Sequence, residues 1–210
     1  TETLGTFTVN AVGGLVGAVT SGTVTQSYAI PTMTVTPGTS LGPQNIGALV
    51  GQTAASITLS QNYASGSVTV TRPASTAVYS IGGLVGLAGA TSTISNSYTM
   101  VTMSVTTATS TDFYGGFVGK AVAITNCYSA NPTMSTTEGN AFGKPTGITG
   151  TITSSYYDSI GALPAQTGIT GLSAITPANI ATQGSFTGFD FATPIWRMPS
   201  ANPLASPDTT

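Results

Sequence analysis

The residues able to do acid, base or nucleophilic chemistry are few and unevenly placed. The chain carries four Lys and Arg, six Asp and Glu, and no His. Asp112, Lys120, Glu138, Lys144 and Asp158 crowd into one stretch of it. Two carboxylates on adjacent turns of a repeating structure, Asp112 and Glu138, are the minimum for acid–base cleavage of a glycosidic bond. Without a cleft or aromatic subsites such a pair is thin ground for catalysis, and a solvated rim that keeps the least regular turns soluble is the expectation. Cys127 has no His to draw off its proton, so it reads as a small buried filler rather than a nucleophile. The absence of His also removes the usual general base of hydrolytic triads and leaves no conventional zinc ligand set. No catalytic residue, metal or cofactor is expected.

The composition points the same way. Only 5% of the 210 residues are charged, against about 25% in ordinary domains. Thr and Ser supply 40 and 23 residues instead. Phosphate backbones are bound by clustered Lys and Arg, so nucleic acid is not an expected partner. Low charge accompanies disorder only where hydrophobicity is low too; here 40% of residues are hydrophobic, and the length suffices for one core. The longest apolar run, residues 81–90, is Gly-rich and falls short of the roughly 20 residues a membrane helix needs. A lone Cys cannot form an internal disulfide, so hydrogen bonding and packing must hold the fold. The chain begins at Thr1 rather than Met, so a processed mature form or an excised piece is expected, and a removed secretory signal would leave no trace in it. The pI near 4.5 suits a secreted surface protein.

What must position these residues is a repeat. Residues 12–17 read Val-Gly-Gly-Leu-Val-Gly and return as Ile-Gly-Ala-Leu-Val-Gly at 46–51, Ile-Gly-Gly-Leu-Val-Gly at 81–86 and Tyr-Gly-Gly-Phe-Val-Gly at 114–119. A degenerate fifth copy, Glu-Gly-Asn-Ala-Phe-Gly, spans 138–143. A second element follows each copy and ends at Tyr28, Tyr63, Tyr98, Tyr128 or Tyr156, as in Thr-Val-Thr-Gln-Ser-Tyr at 23–28. A third element alternates hydroxyl and apolar residues at 32–36, 67–71, 102–106 and 133–136. Alternation with period 2 and enrichment in β-branched residues predict strands, three per repeat. One turn cannot bury its own apolar face, so the turns must stack. The expected architecture is an all-β parallel β-helix, or β-solenoid, of about five three-stranded coils. Its expected interior columns are Leu15/Leu49/Leu84/Phe117, Val24/Leu59/Ile94/Ile124/Ile152 and Met33/Val68/Met103/Met134. The repeated Gly residues are expected at corners where a Cβ would clash or φ must be positive.

The Gly-Gly-Leu-Val-Gly motif followed by Ser-Tyr resembles the GLUG repeat of bacterial surface and secreted proteins. Residues 156–159, 170–172 and 186–191 with Trp196 are similar to the segment that closes many such arrays. The resemblance spans residues 12 to about 198 and implies a stalk-like or adhesive role; it carries over no catalytic residue. Residues 1–11 are expected to be an N-terminal capping strand, 12–157 the solenoid, 158–198 a C-terminal cap and 199–210 an extended tail. Thr176 and Pro177 could start a short helix in the cap, and Phe186, Phe189, Phe191 and Trp196 could plug the open end. Residues 3–10 and the Pro-rich tail are the segments best placed to bridge subunits.

Three repeated features could serve function. The Gly-Gly-x-x-Gly element lacks the first Gly of a phosphate loop, and Ala121 follows Lys120 where Ser or Thr is required, so it reads as a corner. The tyrosine column could stack sugars or simply stabilise the repeat. The third strand offers an outward hydroxyl grid: Thr32, Thr34 and Thr36; Ser67, Thr69 and Thr71; Thr102, Ser104 and Thr106; with Thr133, Ser135 and Thr136 as a fourth row. Rows about 4.8 Å and columns about 6.7 Å apart resemble the ice-binding faces of solenoid antifreeze proteins, and an uncharged flat face also suits lateral protein contact. The leading expectation is a non-catalytic extracellular structural or adhesive module, a subunit or segment of a cell-surface fibre. Its partners would be further copies or other surface proteins. Ice binding through the grid is the alternative, and carbohydrate recognition by an attachment fibre the third.

Overall fold

A computed structural model describes residues 11–37, 44–73, 77–106, 109, 111–130, 133–134, 139–159, 166, 168–193, 195–197 and 206–207. The expected N-terminal strand over 1–10, Glu138, Ser135, Thr136 and most of the tail lie outside the described residues. Among those described, the fold is all-β with parallel sheets and no α-helix. At 176, where a short helix is expected, the amides of Asn179 and Ile180 both donate to the Thr176 carbonyl in a single turn.

Four sheets run through the molecule, and each takes one segment from every full repeat. The first joins β1 (Ala11–Gly13), β6 (Gln44–Gly47), β10 (Tyr79–Gly82) and β14 (Phe113–Gly115). The second joins β2 (Val16–Val19), β7 (Val50–Thr53), β11 (Val85–Leu87) and β15 (Val118–Lys120). The third holds β3 (Thr23–Thr25), β8 (Thr58–Ser60), β12 (Thr93–Ser95), β16 (Ala123–Thr125) and β18 (Ile152–Thr153). The fourth holds β4 (Tyr28–Ala29) with β5 (Thr32–Val35), then β9 (Tyr63–Thr71), β13 (Tyr98–Thr106), β17 (Tyr128–Ser129), β19 (Ser155–Asp158) and β20 (Leu172–Ile175). A separate antiparallel pair links β21 (Trp196–Arg197) and β22 (Ser206–Pro207).

The second, third and fourth repeats therefore supply four strands each and the first supplies five, where three are expected from the sequence. The glycine motif is the reason. It spans two short strands with a bend between them, and the Gly that ends the first strand packs its Cα against backbone. A Cβ on Gly13, Gly47, Gly82 or Gly115 would fall on the carbonyl oxygen of Val16, Val50, Val85 or Val118. None of these four has positive φ, so close approach and not left-handed geometry demands glycine. A recurring positive-φ corner falls elsewhere, on Gln26, Gln61, Asn96, Asn126 and Ser154, at φ 46–58°. These lie just before the tyrosine strand, and four of the five are Gln or Asn.

The next residue at each of those corners forms a hydrogen-bonded column. Ser27, Ser97 and Ser155 donate their hydroxyls to the carbonyls of Thr25, Ser95 and Thr153 at 2.7–3.0 Å. Facing the neighbouring repeat, the amides of Ser27, Asn62 and Cys127 donate to the side chains of Asn62, Ser97 and Ser155 at 3.0–3.2 Å. A left-handed residue costs on the order of 1–2 kcal/mol; here the hydroxyl bonds brace the corners from within, and the amide bonds join one repeat to the next.

The interior follows the register. Val12, Ile46, Ile81 and Tyr114 pair in one line, Val24, Leu59, Ile94, Ile124 and Ile152 in another, and Met33, Val68 and Met103 in a third. Leu49, Leu84 and Phe117 are fully buried, but Leu15, expected inside with them, is 48% exposed because it belongs to the terminal repeat. The fifth copy of the motif sits one residue away from its expected alignment. Gly115 bridges Asn140, and the amides of Phe117 and Val118 both donate to the Phe142 carbonyl. Phe142, not Ala141, thus continues the leucine column, its ring stacked on Phe117 at 4.6 Å.

Leu84→Ala should cost about 2–5 kcal/mol in urea unfolding, because a fully enclosed site cannot collapse around the void. Leu15→Ala, at the half-exposed equivalent, should cost less than half of that. Leu84→Asp should give insoluble or unfolded protein while Thr69→Asp folds; equal behaviour of these last two would overturn the inside–outside assignment.

Candidate functional site

The hydroxyl face is carried by β5, β9 and β13. Their pairing is continuous: Thr32, Ser67 and Thr102 align, as do Thr34, Thr69 and Ser104, and Thr71 pairs with Thr106. Met33, Val68 and Met103, then Val35, Val70 and Val105, alternate with them and point inward. Thr32, Thr34, Thr36, Thr71, Thr102 and Thr106 are exposed, whereas Ser67, Thr69 and Ser104 are half-buried. Thr36 lies just past the end of β5. Thr106 donates its hydroxyl to the Val70 carbonyl at 3.4 Å. Of the fourth row, Thr133 is exposed and Met134 bridges Met103. The described face is three rows deep, uncharged, and bounded by parallel backbone.

The tyrosine column has two environments. Tyr28 and Tyr63 stack at 5.0 Å with planes 4° apart, and Tyr63 and Tyr98 at 5.1 Å and 12°. Beyond them the C-terminal aromatics lie along the side of the column rather than in the open end, where they are expected from the sequence. Trp196 tilts against Tyr98 at 6.3 Å, Phe186 meets Tyr128 and Tyr156 edge-on, and Phe189 joins Tyr156 to Trp196. The Tyr156 hydroxyl donates to the Thr187 carbonyl at 3.1 Å. Tyr98, Tyr128 and Tyr156 are buried as a result, while Tyr28 is 55% exposed and neighbouring Ile30 64%. A sugar stacks on a free ring face; in this column Tyr63 has both faces against tyrosines, so only the outer face of Tyr28 offers one.

Among the described charged residues, Asp112 and Arg72 do not belong to a solvated rim, whereas Lys120, Lys144 and Asp158 are half-buried. Asp112 is 2% exposed, and its Oδ2 lies 3.0 Å from Nε of Arg72, a partner that sequence reasoning missed. Its two oxygens also accept from the backbone amides of Tyr79 and Thr109, both at 2.9 Å. Arg72 in turn donates to the Ala77 carbonyl at 2.7 Å and lies over the Tyr79 ring. This pair ties the connection leaving β9 to the connection entering β14. Asp112 is therefore committed to an ion pair with Arg72. One signal was present: Arg72 and Asp112 are the sole charged side chains between Glu2 and Lys120. Lys120 and Lys144 both approach the Phe113 ring, at 4.5 and 5.9 Å, and Lys144 donates to the Asp112 carbonyl.

Cys127 sits fully buried in the Ser/Asn column. Its thiol donates to the Thr125 carbonyl at 3.3 Å. Burial pushes that thiol up to about 12 against weaker opposition from hydrogen bonds at Ser97 and Thr125. Burial also raises the hydroxyls of Tyr114 and Tyr128, the latter further through Asp158. No group of three or more potential metal-ligating side chains occurs among the described residues. No family model, curated protein or solved structure matches the chain.

Asp112→Ala should destabilise by about 3–5 kcal/mol, since it leaves the Arg72 charge buried and uncompensated. Loss of the pair as Asp112→Leu with Arg72→Met should cost much less; thermal unfolding of the three variants checks this. Raised folded-state pKa values mean that stability is held below the unfolded values of 9.0 for Cys127 and 10.0 for the tyrosines and is lost as pH rises above them. Absorbance at 295 nm and far-UV circular dichroism should accordingly change together in alkali, with native Cys127 unreactive to thiol reagents at pH 8.

Proposed function

We propose that the chain is a β-solenoid of the kind its Gly-Gly-Leu-Val-Gly and Ser-Tyr motifs resemble, acting outside the cell as a non-catalytic structural or adhesive module. The observation that carries this reading is the continuity of four parallel sheets through successive repeats in fixed register. Such a stack is rigid and lengthens by repetition, which suits a stalk or fibre segment. The state of the reactive groups supports the non-catalytic part. Asp112 is spent on Arg72, and the Cys127 thiol stays protonated at neutral pH. The described exterior of the third strand offers hydroxyls and no charge, a surface that meets a protein face without desolvating ions.

One observation favours ice binding as a second reading. The hydroxyls of β5, β9 and β13 form register-matched columns, about 4.8 Å apart between rows. Electron microscopy and sedimentation of the purified chain separate the two readings. Oligomers or filaments are expected from the structural module. A protein that stays monomeric at high concentration and shows thermal hysteresis, lost when Thr34, Thr69 and Ser104 become Tyr, would replace the structural reading with the ice-binding one.

A further inference from the structure

The bend of the glycine motif passes its hydrogen bonds from one repeat to the next by a fixed rule. Two consecutive amides of one repeat share a single carbonyl of its neighbour. Leu15 and Val16 donate to the Leu49 carbonyl, Leu49 and Val50 to that of Leu84, Leu84 and Val85 to that of Phe117, and Phe117 and Val118 to that of Phe142, all at 2.8–3.3 Å. No sixth copy of the motif follows in the sequence, so the amides of Phe142 and Gly143 need an acceptor from elsewhere. Both donate to Oε1 of Gln166, at 3.0 and 3.1 Å. A side-chain oxygen thus takes the part that a backbone carbonyl plays in every earlier repeat, and it serves the same two donors.

Gln166 opens a stretch of chain that treats the other sheets in turn. Tyr157 holds it by donating its hydroxyl to the Gln166 carbonyl at 3.4 Å, and Ile169 packs against the core. Ser155 donates its amide to the Gly171 carbonyl at 3.3 Å. Gly171, at φ 82°, lies so close to β18 that a Cβ would fall on the Ile152 carbonyl oxygen. β20 then pairs with β19 and carries the fourth sheet one strand further than the third. The sheets at this end therefore finish at different levels and on different kinds of partner.

We infer that Gln166 is a built-in stop: its side chain stands in for a sixth repeat at the bend, and the stretch it opens closes the fifth-repeat end to a further coil. This goes beyond the structural-module reading and does not depend on it. An incoming coil would have to bond the Phe142 and Gly143 amides, which are already taken. It would also need the edges of successive sheets at one level, and they are staggered. Covering a sheet end in this way removes a template for strand addition. A partner of the module accordingly meets other surfaces, such as the hydroxyl face of β5, β9 and β13.

Two measurements on the full chain test the stop. Gln166→Met keeps the length of the side chain and removes the acceptor, whereas Gln166→Glu keeps one. In amide hydrogen exchange, Phe142 and Gly143 should exchange about tenfold faster in Gln166→Met than in the unmodified chain. Phe117 and Val118 should not change, and Gln166→Glu should restore the protection. If Gln166→Met speeds every amide alike, Gln166→Asn, too short to reach both donors, takes its place. Unaltered exchange at Phe142 and Gly143 in a variant without the acceptor would overturn the proposal. The second measurement adds charge at the fifth-repeat end with Thr151→Lys and Thr170→Lys, both exposed beside the cleft between β18 and residues 168–170, with circular dichroism to establish folding. Sedimentation velocity should give the same species with and without the lysines. Assemblies lost from the lysine variant would show this end in use and overturn the closure. A chain monomeric in both forms supports the stop and counts against the structural module instead.

Discussion

Everything else in this molecule depends on parallel hydrogen bonding between equivalent positions of successive repeats. Once Ile46 is paired with Ile81 and Tyr63 with Tyr98, every residue must accept a near-copy of itself as its neighbour one strand away. Apolar positions then build continuous columns, and glycine positions must stay glycine because the next backbone already fills the space a Cβ needs. Polar positions survive inside only if they satisfy one another along the column. Ser27, Asn62, Ser97, Cys127 and Ser155 do so, each bonding within its own corner or to the adjacent one.

The same constraint explains why charge is nearly absent. A charged residue in a column would face a like charge at close range in the next repeat, a repulsion that burial strengthens. The ionisable groups accordingly gather where the repeat is least regular, and the Arg72–Asp112 ion pair uses a connection from each of two repeats. Arg72 and Asp112 neutralise one another at a place that breaks the periodicity, so neither needs a partner of its own type.

Ends and sides obey different rules. Along the sides, the C-terminal aromatics wrap Tyr98, Tyr128 and Tyr156 and remove that part of the column from water. At the first repeat the same residue types remain exposed. The surface open to partners is thus decided less by what the repeat contains than by where the non-repeating segment lies.

Periodicity alone determined the strand-forming segments, their stacking order, the inward columns and the outward hydroxyls, because those follow from side-chain alternation and the spacing of near-identical motifs. Tertiary structure decided what periodicity is blind to. The division of each glycine motif into two strands depends on close backbone approach across its own bend as well as against the next repeat. The one-residue shift that seats Phe142 on Phe117 depends on which ring fills the column, and a degenerate motif does not disclose that. The joining of Arg72 to Asp112 spans two repeats with no shared spacing to reveal it, and the placement of Phe186, Phe189 and Trp196 along the tyrosines rests on packing outside the repeat altogether. Local pattern constrains what recurs; unique contacts between distant, non-recurring residues are settled only when the chain has folded.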